Sequence, residues 1–187
     1  MVSDKFLENT KGKPPSRILM EALPYVKTFQ HALDLGAGAF KDTIFLLEEG
    51  FSVDAVDNAE NVAVIAPDNP ALHFFHVSYE EYEFPVEVYD LVNAQYSLPF
   101  SHPQHFQKIW QSIKKSLKKG GVFAGQFFGY EDGFAPDEKM TFLDKEKVEV
   151  LFMDFKIHTF VEAKRTQKTA TGREKFWHVF DVIAEKV

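Results

Sequence analysis

Short apolar runs and stretches of helical spacing alternate along most of the chain. Ala32 to Leu35 is an apolar run that stops at Gly36-Ala37-Gly38. Ile44, Phe45, Leu46 and Leu47 then follow a helical pattern that ends at Gly50. This predicts strand, tight turn, helix. Phe51 to Val56 alternates into a second strand broken at Asp57-Asn58, and a second helix is expected through Val62, Ala63 and Ile65, ending before Pro67. Leu72 to Val77 and Val88 to Ala94 are the third and fourth strands. The acidic stretch between them, Ser78 to Glu87, is too short for a long helix.

From Pro103 the apolar positions Phe106, Ile109, Trp110, Ile113 and Leu117 fall at helical spacing. Lys114, Lys115, Lys118 and Lys119 lie near the expected helix end, where cations complement the terminal dipole, and Gly120 occupies the expected position just past it. Val122 to Phe128 is a fifth strand with the continuous apolar character of a buried parallel one. Gly129 to Phe142 breaks the pattern, and a last helix is expected through Val148, Leu151 and Phe152. Lys156 to Ala163 and Phe176 to Ala184 then read as an antiparallel hairpin around Gly172. Ahead of all this, Ser16 is placed to cap a short helix through Ile18, Leu19, Ala22 and Leu23 that Pro24 disturbs.

The alternation predicts an α/β fold: a mainly parallel sheet, helices on both faces and a closing antiparallel strand pair. In such sheets ligands bind beyond the carboxyl ends of the strands, so the chemistry is expected there. At 187 residues the length fits one domain, 1–187, with 1–15 as a flexible N-terminal segment or lid. Thr10 and Lys11, and the irregular stretch from Tyr130 to Met140, flank that ligand edge as lid candidates.

Composition narrows the chemistry. A net charge of −7 disfavours a nucleic-acid partner, whose recognition needs a basic face. The lack of any cysteine removes disulfides, thiolate metal sites and cysteine nucleophiles. No metal site is expected, because His102 and His105 have no third ligand at a recognisable spacing. The polar N-terminus and the absence of any long apolar run predict a cytoplasmic protein that does not engage a membrane. The 20 phenylalanines are expected mainly in the core, with some shaping an apolar pocket.

Asp34-Leu35-Gly36-Ala37-Gly38 ends the first strand, and Asp57 ends the second, 21 residues after Gly36. The glycines let the backbone turn sharply beside a ligand, and a strand-end carboxylate can accept both hydroxyls of a ribose. Dinucleotide binding wants a third glycine three residues after the second, where Lys41 stands. An acid two residues before the first glycine suits a ligand carrying an ammonium group better than a pyrophosphate.

These residues resemble the class I S-adenosylmethionine-dependent methyltransferases, whose first motif reads acid-x-Gly-x-Gly and whose second strand ends in an acid. The segments Asn93 to Phe100, Gly120 to Gly129 and Lys175 to Phe180 are similar to the branch containing the tellurite-resistance methyltransferases, over residues 14 to 187. The resemblance implies a Rossmann-like three-layer sandwich with a seven-stranded sheet. It also implies S-adenosylmethionine as methyl donor, S-adenosylhomocysteine as product, and a small-molecule methyl acceptor as partner of a monomer or homodimer. Asp34, Gly36, Ala37, Gly38, Asp57 and Asn58 become donor-site candidates. By position Ser78 replaces the adenine-contacting acid, with Glu80 and Glu81 close by, and Asn93 and Gln95 flank the donor's methionine part. Phe40 stands where the family often has a further glycine.

Methyl transfer from a sulfonium is an in-line displacement that needs alignment more than a dedicated base. His102 and His105 are candidates if the acceptor must lose a proton, though His102 can equally cap the Pro103 helix. His178 reads as structural, and Trp177 with Phe127-Phe128 as substrate-pocket candidates. Two other readings stand beside this one: a nicotinamide-dependent oxidoreductase, and a domain that keeps the fold as an interaction module without turnover.

Overall fold

The glycine turn sits at the centre of the sheet because the strand before it is the central crossover point. In the computed structural model, which describes residues 2–187, β1 (His31–Leu35) pairs in parallel with β2 (Ser52–Val56) on one side and β4 (Tyr89–Ala94) on the other. With β3 (Leu72–Phe75), β5 (Leu117–Phe128), β6 (Phe155–Lys168) and β7 (Glu174–Lys186) they form a seven-stranded sheet in the order β3-β2-β1-β4-β5-β7-β6. Only β7 runs against its neighbours. The strand order reverses between β1 and β4, and such a switch point opens a crevice at the carboxyl ends of the strands.

Two helical layers cover the sheet. On one face α2 (Arg17–Ala22) and α3 (Lys41–Glu48) bury Ile18, Leu19, Ala22 and Leu46 against Ala32, Val53, Leu91, Val122 and Ala124. On the other face α5 (Pro103–Ser116) and α6 (Lys145–Leu151) pack Phe106, Ile109, Trp110, Ile113 and Val148 onto Leu33, Val92, Phe123 and Phe127. The Trp110 ring meets Phe123, Phe127, Phe152 and Phe155. Much of the phenylalanine content therefore fills this interface, and Phe127 belongs to it rather than to a pocket.

The elements depart from the sequence pattern in four places. The helix expected to run to Gly120 stops at Ser116. Leu117 instead pairs with Tyr89, and the register shifts before Leu91 meets Val122, so Lys118 and Lys119 belong to a strand. Lys118 serves there as the 2.9 Å ion-pair partner of buried Asp90. The second expected helix shrinks to α4 (Glu60–Ala63), a single turn that buries only Val62. The hairpin strands run to 14 and 13 residues because polar positions 164–168 continue the ladder at the exposed edge. The polar opening carries α1 (Asp4–Thr10), capped by the Ser3 hydroxyl, which accepts from the Phe6 N–H at 3.2 Å. Met1, the first residue of the expected lid segment, lies outside the described residues. Among the described residues no helix is long and apolar enough to cross a membrane.

Candidate active site

Buried Asp34 is the next-to-last residue of β1, and its side chain turns toward α3. One oxygen accepts the Thr43 hydroxyl, and Oδ1 accepts Asn93 Nδ2 at 2.8 Å. Burial and the nearby Asp42 carboxylate push its pKa up to about 7. Both oxygens are thus engaged inside the protein, and Asp34 acts on the turn's surroundings through Asn93. The Asn93 Oδ1 in turn accepts Gln95 Nε2 at 2.8 Å, and Gln126 Nε2 donates to Gln95 Oε1 at 3.0 Å. A polar row therefore runs across β1, β4 and β5 just where the strands end.

Asp57 closes the other side. Its Oδ2 accepts the Gly38 N–H and its Oδ1 the Ala59 N–H, both at 3.0 Å. The Gly36 and Ala37 N–H groups donate to the Val56 carbonyl at 2.8 and 3.2 Å. The turn is held by the end of β2, with a buried carboxylate at its centre. Each Asp57 oxygen keeps a second lone pair, so the clasp leaves acceptor capacity for a diol.

Space around the glycines is taken by the protein itself. Gly36 has φ +80°, and a Cβ there would lie 2.5 Å from Ser97 Cβ and 2.8 Å from the Tyr79 hydroxyl oxygen. A Cβ at Gly38 would meet the Phe6 ring at 3.3 Å. Leu7 packs with Ala37, Ala39, Phe40, Ala55, Ala59 and Val62. Helix α1 therefore lies on the turn, tied at one end by Asn61 Nδ2 to the Val2 carbonyl (3.0 Å) and the Asp4 carboxylate (2.8 Å). At the other end Asn9 Nδ2 donates to the Ala170 carbonyl at 2.8 Å, at the hairpin tip. Phe40 takes the left-handed conformation, φ 59°, that a glycine would adopt freely, and its ring is buried.

The remaining candidates divide. Asn58 is exposed, and its carbonyl accepts His76 at 3.3 Å. The Ser78 hydroxyl donates to Glu81 at 2.8 Å, so its neighbour Tyr79 is the residue that reaches the turn. Burial, then Asp57, raises the Tyr79 pKa and keeps that hydroxyl protonated. No signal in the sequence singled out Tyr79 or Ser97, and Phe6 showed only as half of an apolar pair in a polar opening. His102 Nδ1 accepts the Gln104 N–H as the cap of α5, and His105 is exposed on the same helix. His178 is buried between Glu162 (2.9 Å) and the Glu131 N–H (3.3 Å), a structural arrangement.

Trp177 stands beside the site with Tyr96, Phe128 and Phe134. The Lys175 ammonium lies over the Phe128, Phe134 and Trp177 rings and 2.6 Å from Asp132, fixing the irregular 129–142 segment to β7. Among the described residues no group of three or more His, Cys, Asp or Glu side chains could hold a metal ion.

Residues 32–121 match the model of the methyltransferase domain family. The chain is 30% identical over 129 residues, 66% of its length, to carboxy-S-adenosyl-L-methionine synthase of Campylobacter jejuni, and it spans about half (51%) of that protein. A superposition on TehB from Haemophilus influenzae has a TM-score of 0.75 at 14% identity, covering 90% of this chain and 61% of that one. An S-adenosylmethionine-dependent methyltransferase from Methanosarcina mazei gives 0.68 at 16% identity, covering 94% and 99%. The 1,6-didemethyltoxoflavin-N1-methyltransferase of Burkholderia thailandensis, with bound 1,6-didemethyltoxoflavin and S-adenosylhomocysteine, gives 0.65 at 21% identity, covering 91% and 76%. All three structures share the fold.

Proposed function

We propose that this chain, a class I S-adenosylmethionine-dependent methyltransferase by its domain match and its fold, transfers the donor's methyl group to a small-molecule acceptor as a single unit of residues 1–187. The observation that carries the reading is the pair of hydrogen-bonded carboxylates on either side of the glycine turn. Asp34 fixes Asn93 and Gln95 at the end of β4, and Asp57 fixes Gly38 at the end of β2. Asp57 would accept the ribose hydroxyls with its remaining lone pairs. Gly36, Ala37 and Gly38 would line the donor, with Asn58 and Ser78 toward the adenine, and Asn93 and Gln95 beside the methionine part.

When bound, the donor supplies an electrophilic methyl group on a good leaving group. The protein's part is then to align the acceptor in line with the departing sulfur and to exclude water. Helix α1, seated on the turn through Phe6 and Leu7, is read as the lid that excludes it. Donor entry would require α1 and the Tyr79 hydroxyl to move away. His102 and His105 are not needed in this account, because the one is a helix cap and the other is exposed. The carboxy-S-adenosyl-L-methionine synthase relative, named for a carboxylated form of the donor, supports a site for an adenosyl sulfonium. The Burkholderia enzyme supports a small-molecule acceptor.

A donor-consumption assay tests the reading: S-adenosylhomocysteine should form only when a methyl acceptor is supplied from a panel of amines, thiols, carboxylic acids and metalloid oxyanions. A chain that binds the donor but converts no member of a broad panel would speak for a non-catalytic module.

A further inference from the structure

The sheet edge beyond Gln95 holds a buried carboxylate oxygen that no group among the described residues satisfies. Asp181 of β7 lies opposite Gln126 of β5 and is only 2% exposed. Its Oδ2 receives Arg17 Nη2 at 2.7 Å, while Oδ1 has no hydrogen-bond partner among the described residues. A buried charged oxygen left bare is costly, so something is expected to meet it. The neighbours are already committed. Gln126 accepts the Tyr96 N–H with Oε1 and donates to Gln95 with Nε2, both at 3.0 Å, and the Arg17 guanidinium also holds Glu21 at 2.9 Å.

The surroundings of this oxygen are flat and aromatic. Tyr96 follows Gln95 in the left-handed region, φ 54°, a conformation non-glycine residues hold mainly where the fold demands it. Its ring stands edge-on to Trp177 at 5.5 Å and tilted against Phe128 at 6.3 Å, and its hydroxyl lies among Asp181, Arg165 and Arg17. Trp177 is the register partner of Arg165 across the hairpin.

The cluster is continuous with the candidate donor site. Asp34, Asn93 and Ala124 are register partners in adjacent strands. Gln126, two residues beyond Ala124, and its partner Asp181 share their face of the sheet. The bare oxygen is thus the next polar group along the row that starts at Asp34.

We propose that Asp181, Tyr96 and Trp177 form the acceptor subsite, and that the acceptor is a flat, unsaturated small molecule whose nucleophilic nitrogen carries an N–H that donates to Asp181 Oδ1 while its ring lies against Tyr96 and Trp177. This rests on the methyltransferase reading and adds the substrate class. In the transfer the nitrogen lone pair forms the new N–C bond and the C–S pair returns to sulfur. The N–H proton passes to Asp181 Oδ1, leaving a neutral methylated amine and a neutral thioether.

The test starts with the wild-type chain and S-adenosylmethionine in a calorimeter, since no donor binding there would sink the parent reading and not this one. Labelled donor is then offered with planar N–H heterocycles and aromatic amines, and separately with alkyl thiols, carboxylic acids and oxyanions. The expected result is transfer to the N–H class. Asp181→Asn should lose at least about tenfold in acceptor kcat/KM with donor Kd within about twofold of wild type. Preferred transfer to thiols, carboxylates or oxyanions overturns the proposal, as does donor binding with no turnover of any N–H acceptor. An unchanged acceptor kcat/KM in Asp181→Asn also overturns it and would mean that Oδ1 meets water only. If that variant does not fold, as judged by lost donor binding, Tyr96→Ala and Trp177→Ala decide. A several-fold rise in acceptor KM at constant donor Kd supports the subsite, and no change in either refutes it.

Discussion

The Asp34 carboxylate and the Asn93 side-chain amide are joined by a 2.8 Å hydrogen bond between register partners of the two central strands. The acid of the glycine-turn motif therefore orients an amide at the end of β4, and its own charge stays buried.

That burial predicts a pH signature. The folded pKa of about 7 lies above the unfolded carboxylate value. Between about pH 4 and 7 the native state therefore holds a proton that the unfolded state has lost. Stability contributed by protonated Asp34 is complete below that window and falls as pH rises through it. Asp34→Asn should flatten this slope, because the amide can accept from Asn93 and donate to the Thr43 hydroxyl. It should also leave the chain as stable as wild type, or more so, at pH 8. Urea melts across pH 4 to 8 give the slopes directly, and an unchanged slope in the variant would mean that Asp34 is charged throughout.

Gly36 should tolerate no side chain, whereas Gly50 should tolerate alanine at modest cost. Both have positive φ, but a Cβ at Gly50 meets nothing within 4 Å, while at Gly36 it would strike Ser97 Cβ. Gly50→Ala should cost about 1 to 2 kcal/mol from backbone strain alone. Gly36→Ala should add overpacking of about 1 to 3 kcal/mol to that. Denaturant midpoints of the two variants separate strain from clash.

Asp57 carries two roles that substitution should reveal together. Asp57→Asn removes the charge and leaves one oxygen to serve two buried N–H groups, so stability should fall by about 1 to 3 kcal/mol. Donor Kd should rise at least about tenfold, beyond what stability explains, because the variant still folds below its melting point. Paired melting and binding titrations check both. Unchanged donor affinity would place the ribose elsewhere.

Helix α1 should govern donor exchange. Removing residues 2–11 takes Phe6 from Gly38, Leu7 from its cluster and Asn9 from the hairpin tip. Donor dissociation should become several-fold faster in stopped-flow chase experiments, with the melting profile of the sheet kept. An unaltered off-rate would make α1 a structural appendage.

How much of this the sequence disclosed follows from where each residue's neighbours come from. Apolar spacing identified α5 and the parallel strands because their own buried faces repeat at helical and strand periods. The end of α5 was misread because nothing local distinguishes Lys118-Lys119 in a helix from the same pair in a strand held by Tyr89 and Asp90. Helix α1 is polar apart from Phe6 and Leu7, and that apolar pair was the only trace of a face that needs the glycine turn to exist. Asp34, Asp57, Asn93 and Gln95 were legible through motif position. Tyr79, Ser97, Tyr96 and Asp181 come together only through loop packing and cross-strand register, which one sequence does not display.

The central claim is that the clasped glycine turn between Asp34 and Asp57 holds an adenosyl sulfonium. Isothermal calorimetry of the full chain with S-adenosylmethionine and with S-adenosylhomocysteine tests it most directly. Saturable one-to-one binding of both compounds, weakened by Asp57→Asn, is the predicted result. No heat with either compound at high protein concentration would contradict it.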